Sequence, residues 1–174
     1  MQGRLDCKYK IITSLVFFFI LISSNICVSA EEKAFITTRA ISAELAKQAA
    51  STAYKDCRSK GYQVAVAVVD RKGMLMAFIR DPLASPHTID VSQRKAYTSA
   101  TYQASTSSMI DREEFRFTPG VLLLGGGLPI NVAGHFYGAI AVSGAPGKKV
   151  SGDIDEECAQ AGLSAIAETL EFSD

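Results

Sequence analysis

Apolar residues return at helical spacing over residues 38–60, with Ile41, Leu45, Ala49, Ala53 and Tyr54 on one side. This periodicity predicts a first helix, capped by Thr37 or Thr38 and stopped by Gly61. The period then changes. Val64-Ala65-Val66-Ala67-Val68-Val69 is a continuous β-branched and alanine run, which predicts a strand covered on both faces. Asp70-Arg71-Lys72-Gly73 reads as a hairpin connection and residues 74–80 as the returning strand. A loop holding Pro82 and Pro86 follows over residues 81–89, then a helix over 90–105 and a short third helix over 107–115. Nine of the thirteen glycines fall between Gly120 and Gly152. Short strands are predicted there at 121–124 and 130–132, a turn at 133–136, and a clear strand at 137–143. Asp153 with Glu156 three residues later predicts a capping box opening a last helix that ends near Leu170. Helix, hairpin, helices, strands, helix is not a βαβ alternation. It predicts a single α+β domain built on an antiparallel sheet.

The N-terminal residues follow a different pattern. Arg4, Lys8 and Lys10 precede an apolar run over residues 11–22, and Val28-Ser29-Ala30 follows a polar stretch. A basic start, a short apolar centre and small residues before a cut describe a secretory signal peptide over residues 1–30. The apolar run has 12 residues, short of the roughly 20 a bilayer crossing needs, so no stable membrane span is expected after cleavage. An uncleaved anchor is the competing reading.

Composition changes once that leader is set aside. The whole chain of 174 residues is 48% hydrophobic with 18 basic and 18 acidic side chains. Residues 1–30 hold three of the basic and one of the acidic residues. The remaining 144 therefore carry 15 basic and 17 acidic side chains, a net charge of −2. A slightly acidic domain is a poor match for nucleic-acid binding through phosphates. Cys7 and Cys27 leave with the leader and Cys57 and Cys158 remain. In a secreted or periplasmic setting two cysteines suggest one disulfide, against the alternative of two buried thiols.

The candidate chemistry is sparse. His87 and His135 are the only histidines and no CxxC, HxxH or HExxH pattern occurs, which argues against structural zinc. Each histidine is either a solvated loop residue or a ligand and proton carrier. Gly120 and Gly125 have P-loop spacing, but Gly126-Gly127 stands where Lys and Ser/Thr must meet phosphate and magnesium. Ser92-Gln93-Arg94-Lys95 matches SxxK without the partner motifs of a serine acyl-enzyme. Gly125-Gly126-Gly127 before Leu128-Pro129 permits either a backbone nest for a carboxylate or propionate, or a tight bend in a sheet.

Several segments together resemble the GlcG/HbpS family of haem-binding and haem-degrading proteins, also found as the C-terminal domain of some corrinoid adenosyltransferases. They are Val66-Ala67-Val68-Val69-Asp70-Arg71-Lys72-Gly73, Arg80-Asp81, Lys95-Ala96-Tyr97-Thr98-Ser99-Ala100, Gly125-Gly126-Gly127-Leu128-Pro129-Ile130, and Gly138-Ala139-Ile140-Ala141-Val142-Ser143-Gly144-Ala145, closing with Asp153. The resemblance covers residues 38–170. Ala141 departs from a usual glycine, and the loop 146–151 is basic through Lys148 and Lys149. The family implies a profilin-like fold, a central antiparallel sheet flanked by helices, and homo-oligomers. It also implies that the first and last helices share a face, which would bring Cys57 near Cys158.

The resulting expectation is an exported haem-binding protein that captures or degrades haem. His87 or Thr118 would approach the iron, with histidine the stronger ligand. Lys95 or Arg80 would pair with a propionate, and Gly126 and Gly127 would let the macrocycle lie against backbone. The alternative is a non-enzymatic module for a small carboxylate or corrinoid, or an oligomeric partner of a sensor or metabolic protein.

Overall fold

A computed structural model of the chain describes residues 34–148 and 152–173. The predicted leader over residues 1–30 and its cleavage point lie outside the described residues. The first helix, α1, is Ala43–Ser59, several residues shorter than its apolar pattern. The cap decides the boundary: the Ser42 hydroxyl accepts from the Leu45 amide at 3.2 Å, so Thr37 and Thr38 precede the helix in extended chain. Gly61, at φ +89°, ends it as expected.

β1 (Ala65–Asp70) and β2 (Leu75–Arg80) form the predicted hairpin. The Asp70 carboxylate accepts from the Lys72 and Met74 amides at 2.8 and 2.9 Å, and Gly73 takes φ +77°. An aspartate that satisfies the turn amides is what makes this connection tight.

α2 is His87–Tyr102. It starts three residues earlier than predicted, as Thr88 donates its hydroxyl to the Ser85 carbonyl at 2.7 Å. The short helix expected over 107–115 is instead two 3₁₀ segments, Thr106–Met109 and Glu113–Phe117. The strand expected over 121–124 lies outside the sheet, and the Leu124 amide donates to the Leu122 carbonyl at 3.0 Å in a tight turn. Its backbone is tied to α2: Thr98 accepts from the Leu122 amide at 2.8 Å and Arg94 donates to the Val121 carbonyl at 2.9 Å. Those bonds satisfy groups that a sheet neighbour would otherwise take.

β3 (Gly127–Val132) and β4 (His135–Ser143) form the second hairpin. Ala133 and Gly134 connect them at φ +49° and +78°, the two positive values that a tight two-residue hairpin turn requires. α3 runs Asp153–Glu171. Gly152 at φ +87° is its cap in place of the predicted Asp153. Asp153 sits one position inside, accepting from the Lys148 and Ile154 amides at 2.9 and 2.8 Å.

The four strands form one sheet in the order β2-β1-β4-β3, with every neighbouring pair antiparallel. This is the expected α+β architecture. Alternation along β1 sends Val66 and Val68 to one core and Ala67 and Val69 to the other. α1 and α3 cover the first face, and α2 covers the second. The α2 side is built largely from Ala67, Ala96, Ala100, Ala139 and Ala141; such short side chains let a helix lie close to a sheet. On the other side α1 presents Ala46, Ala49, Ala50 and Ala53. A Cβ on Gly162 of α3 would stand 2.5 Å from the Ala49 carbonyl. The same close approach joins Cys57 to Cys158 in a disulfide across 101 positions, with 5.5 Å between Cα atoms.

Candidate functional site

His87, Val91 and Lys95 lie one helical turn apart along α2 and so form a single stripe. Facing them are Ser143 at the end of β4, the turn through Gly144, Ala145, Pro146 and Gly147, and Asp155 in the first turn of α3. Together these enclose a cleft of about 270 Å³. His87 stands exposed at the helix start. Leu83, 80% exposed, and Ile89, 39% exposed, flank it within four residues along the chain.

The floor of the cleft is an ion pair. Lys95 Nζ lies 2.8 Å from Asp155 Oδ2, with the side chains 1% and 4% exposed. Lys95 also donates to the Val142 carbonyl at 3.0 Å, and Asp155 Oδ1 accepts from the Ala145 amide at 2.9 Å. Burial pushes the Lys95 ammonium below its ordinary pKa and the Asp155 carboxyl above its own, each shift opposed by the other charge. Both groups are held by hydrogen bonds, the condition under which buried charges persist. Lys95 was expected to meet a propionate. The structure instead gives its ammonium to a carboxylate of the same chain.

Gly126 and Gly127 are buried beneath α2. A Cβ on Gly126 would stand 2.7 Å from the Asp155 Cβ and 2.9 Å from Lys95 Nζ, and one on Gly127 would stand 2.8 Å from the Lys95 carbonyl. Their missing side chains make room for the ion pair and the helix, so neither backbone is left open for a flat ligand to rest on. Thr106 accepts from the Gly127 amide at 2.9 Å, which consumes one of the donors a nest would have offered.

Arg80 closes β2, and its guanidinium donates to the Ala84 carbonyl at 2.8 Å. It braces the loop that ends on His87, while its Nε is buried without a hydrogen-bond partner. Thr118 is elsewhere. It is exposed and accepts from the Tyr102 hydroxyl at 3.3 Å, at the far end of a 16-residue helix that is about 24 Å long. His87 and Thr118 therefore do not meet at one centre. His135 is separated as well: it opens β4, whose ninth residue, Ser143, lines the cleft, and nine residues of strand span about 27 Å. Among the described residues no cluster of three His, Cys, Asp or Glu side chains could hold a metal ion.

Asp155 was not anticipated as part of the site. A signal for it exists, since Asp155 falls on the buried stripe Ile154, Cys158, Ala159, Gly162 and Ile166 of α3. A carboxylate at core spacing implies a buried cation facing it.

A family model described as haem degrading protein HbpS-like matches residues 41–164. The fold superposes on a crystal structure of a double mutant of Streptomyces reticuli HbpS with a TM-score of 0.72 at 34% identity, covering 80% of this chain and 95% of that one. A crystal structure of a PduOC–haem complex matches with a TM-score of 0.65 at 23% identity, over 74% of this chain and 96% of that one, a likeness of fold. The Escherichia coli K12 protein GlcG is 30% identical over 108 residues, which is 59% of this chain and 81% of GlcG.

Proposed function

The chain belongs to the HbpS-like family of haem-degrading proteins, and from that premise we propose that it binds haem across the mouth of the cleft headed by His87. One observation carries the reading: an exposed imidazole opens a cleft and is flanked by the exposed apolar side chains Leu83 and Ile89. Enclosed ligand pockets run from roughly 300 to 1,000 Å³, so a cleft of about 270 Å³ suits a flat ligand lying over its rim. The donor set fits a haem held from one side. His87 supplies a nitrogen ligand, and His135 is too far away to supply a second. Arg80 positions the His87 loop, and the Lys95–Asp155 pair fixes the cleft walls. Bound haem would supply an iron able to react with oxygen or peroxide, and single-sided ligation suits slow degradation as well as capture. Export to a secreted or periplasmic compartment belongs to the same proposal, supported by the basic and apolar leader pattern and by the Cys57–Cys158 disulfide.

Haemin titration of the purified protein should give a saturable Soret shift. His87→Ala should weaken it at least tenfold and His135→Ala should leave it unchanged. Absence of saturation in the unmodified protein would refute haem binding, and a shift that survives His87→Ala would refute the ligand. Degradation predicts that peroxide bleaches the bound Soret band faster than that of free haemin.

Self-association is also part of this reading. Beside α2, a groove of about 570 Å³ is lined by Val69, Met74, Leu75 and Tyr97 together with Asp90, Gln93 and Arg94, and Met74 and Leu75 are exposed. Exposed apolar patches of this kind mark contact surfaces. Light scattering should report a mass above that of one chain, and Leu75→Lys should move it toward the monomer.

A further inference from the structure

A second cavity lies on the opposite face of the sheet, between the start of α1 and the end of α3. It measures about 440 Å³ and is lined by Arg39, Ala40, Ser42, Leu45, Tyr137, Leu170 and Ser173. Tyr137 comes from β4 and is 2% exposed. Its hydroxyl is buried without a hydrogen-bond partner. Buried hydroxyls are almost always satisfied, so an orphaned one in the wall of a cavity calls for a partner from outside the fold.

The rest of the lining states what that partner is. Leu45 and Leu170 form an apolar wall. Ser42 caps α1, a helix of 17 residues, so the positive end of its dipole opens on the cavity. Arg39 stands at the rim with one guanidinium nitrogen on the Ser173 carbonyl at 3.2 Å, leaving its other N–H groups free to face a ligand. Glu44, in the first turn of α1, and Glu171, next to Leu170, are acidic neighbours along the chain, and both side chains are exposed rather than part of the lining. A phenol donor, a guanidinium and a helix N-terminus beside an apolar wall select a singly charged acid with an apolar body.

We propose that this cavity is a binding site for a small carboxylate carrying a short aliphatic or aromatic body, separate from the cleft at His87. The carboxylate accepts from the Tyr137 hydroxyl and from Arg39, and its apolar part packs on Leu45 and Leu170.

Isothermal titration of the purified protein with hexanoate and with benzoate tests this, using hexanamide and benzamide as uncharged counterparts. At least one of the two acids should bind saturably, and its amide at least tenfold more weakly. Tyr137→Phe keeps the ring and removes only the donor; it should weaken the acid about tenfold, in line with a hydrogen bond to a charged group. Arg39→Gln should weaken it similarly, and the unfolding midpoint of each variant shows that the fold is intact. Heat from neither acid, equal binding of acid and amide, or unchanged affinity in a folded Tyr137→Phe would each overturn the proposal. An intact fold with weakened binding in both variants supports it.

Discussion

Asp155→Asn should destabilise the protein by about 3–5 kcal/mol, read as a lower urea midpoint with an unchanged slope. The substitution keeps the shape of the side chain and removes its charge, leaving the Lys95 ammonium buried with the Val142 carbonyl as its remaining partner. Lys95→Met should cost a similar amount, because it strands the Asp155 carboxylate on the Ala145 amide. The double variant Lys95→Met/Asp155→Leu removes both charges together and should recover to within about 1 kcal/mol of the unmodified protein, or exceed it. That non-additivity is the signature of a pair, and a double-mutant cycle measures it. The single variant Asp155→Asn also carries a pH signature. Without its counter-charge Lys95 is depressed further, so between its folded and unfolded pKa values the unfolded chain binds the extra proton. The stability of the variant then rises with pH through that window. Its deficit is greatest near neutral pH, shrinking in alkali as Lys95 gives up its proton and in acid as Asp155 of the unmodified protein is protonated and loses its own charge. A midpoint unmoved at neutral pH would mean that the ammonium reaches water in the variant. The pair joins α2, β4 and α3, so the singles should also weaken haemin binding.

Local chemistry was legible where one short segment decides the outcome. β1 follows from an uninterrupted β-branched run, and its hairpin from the aspartate and glycine at the two ends of Asp70–Gly73. The apolar periodicity continues N-terminal to α1 through Ile41, whereas the boundary is set by one hydroxyl, that of Ser42. Residues 121–124 carry a strand pattern, and pattern does not distinguish a sheet neighbour from a tie to Thr98 and Arg94 of a helix. The same gap governs the site. His87 is conspicuous as a lone histidine after two prolines, yet its cleft exists because a turn after β4 and the first turn of α3 arrive beside it. Gly126 and Gly127 looked like room for a ligand. They are room for Lys95 and Asp155, a use that becomes visible when α2 and α3 are in place. The disulfide follows from the number of cysteines together with the shared helix face that the family resemblance implies.

Removing that disulfide should have the other large effect. Cys57→Ala with Cys158→Ala opens a loop closed across 101 positions, for which chain entropy predicts a loss of about 4–5 kcal/mol. Alanine suits the test, since both sites are fully buried among apolar residues and a serine would add the cost of an unsatisfied hydroxyl. Reduction with a thiol reagent should reproduce most of the loss without any change of side chain. Domains of this size hold a net stability of about 5–15 kcal/mol, so the bond decides whether the fold is secure or marginal. Its action falls chiefly on the unfolded ensemble, and it lies on the α1–α3 face rather than the α2 face. The urea midpoint should therefore fall while haemin affinity, measured where the protein remains folded, stays the same. Thiol counting in denaturant, on protein lacking residues 1–30, should find no free thiol before reduction and two after. Two thiols before reduction would disprove the bond. A haemin affinity that fell together with the midpoint would instead show that the two faces of the sheet are coupled, and that the cleft at His87 depends on how tightly α1 and α3 are held.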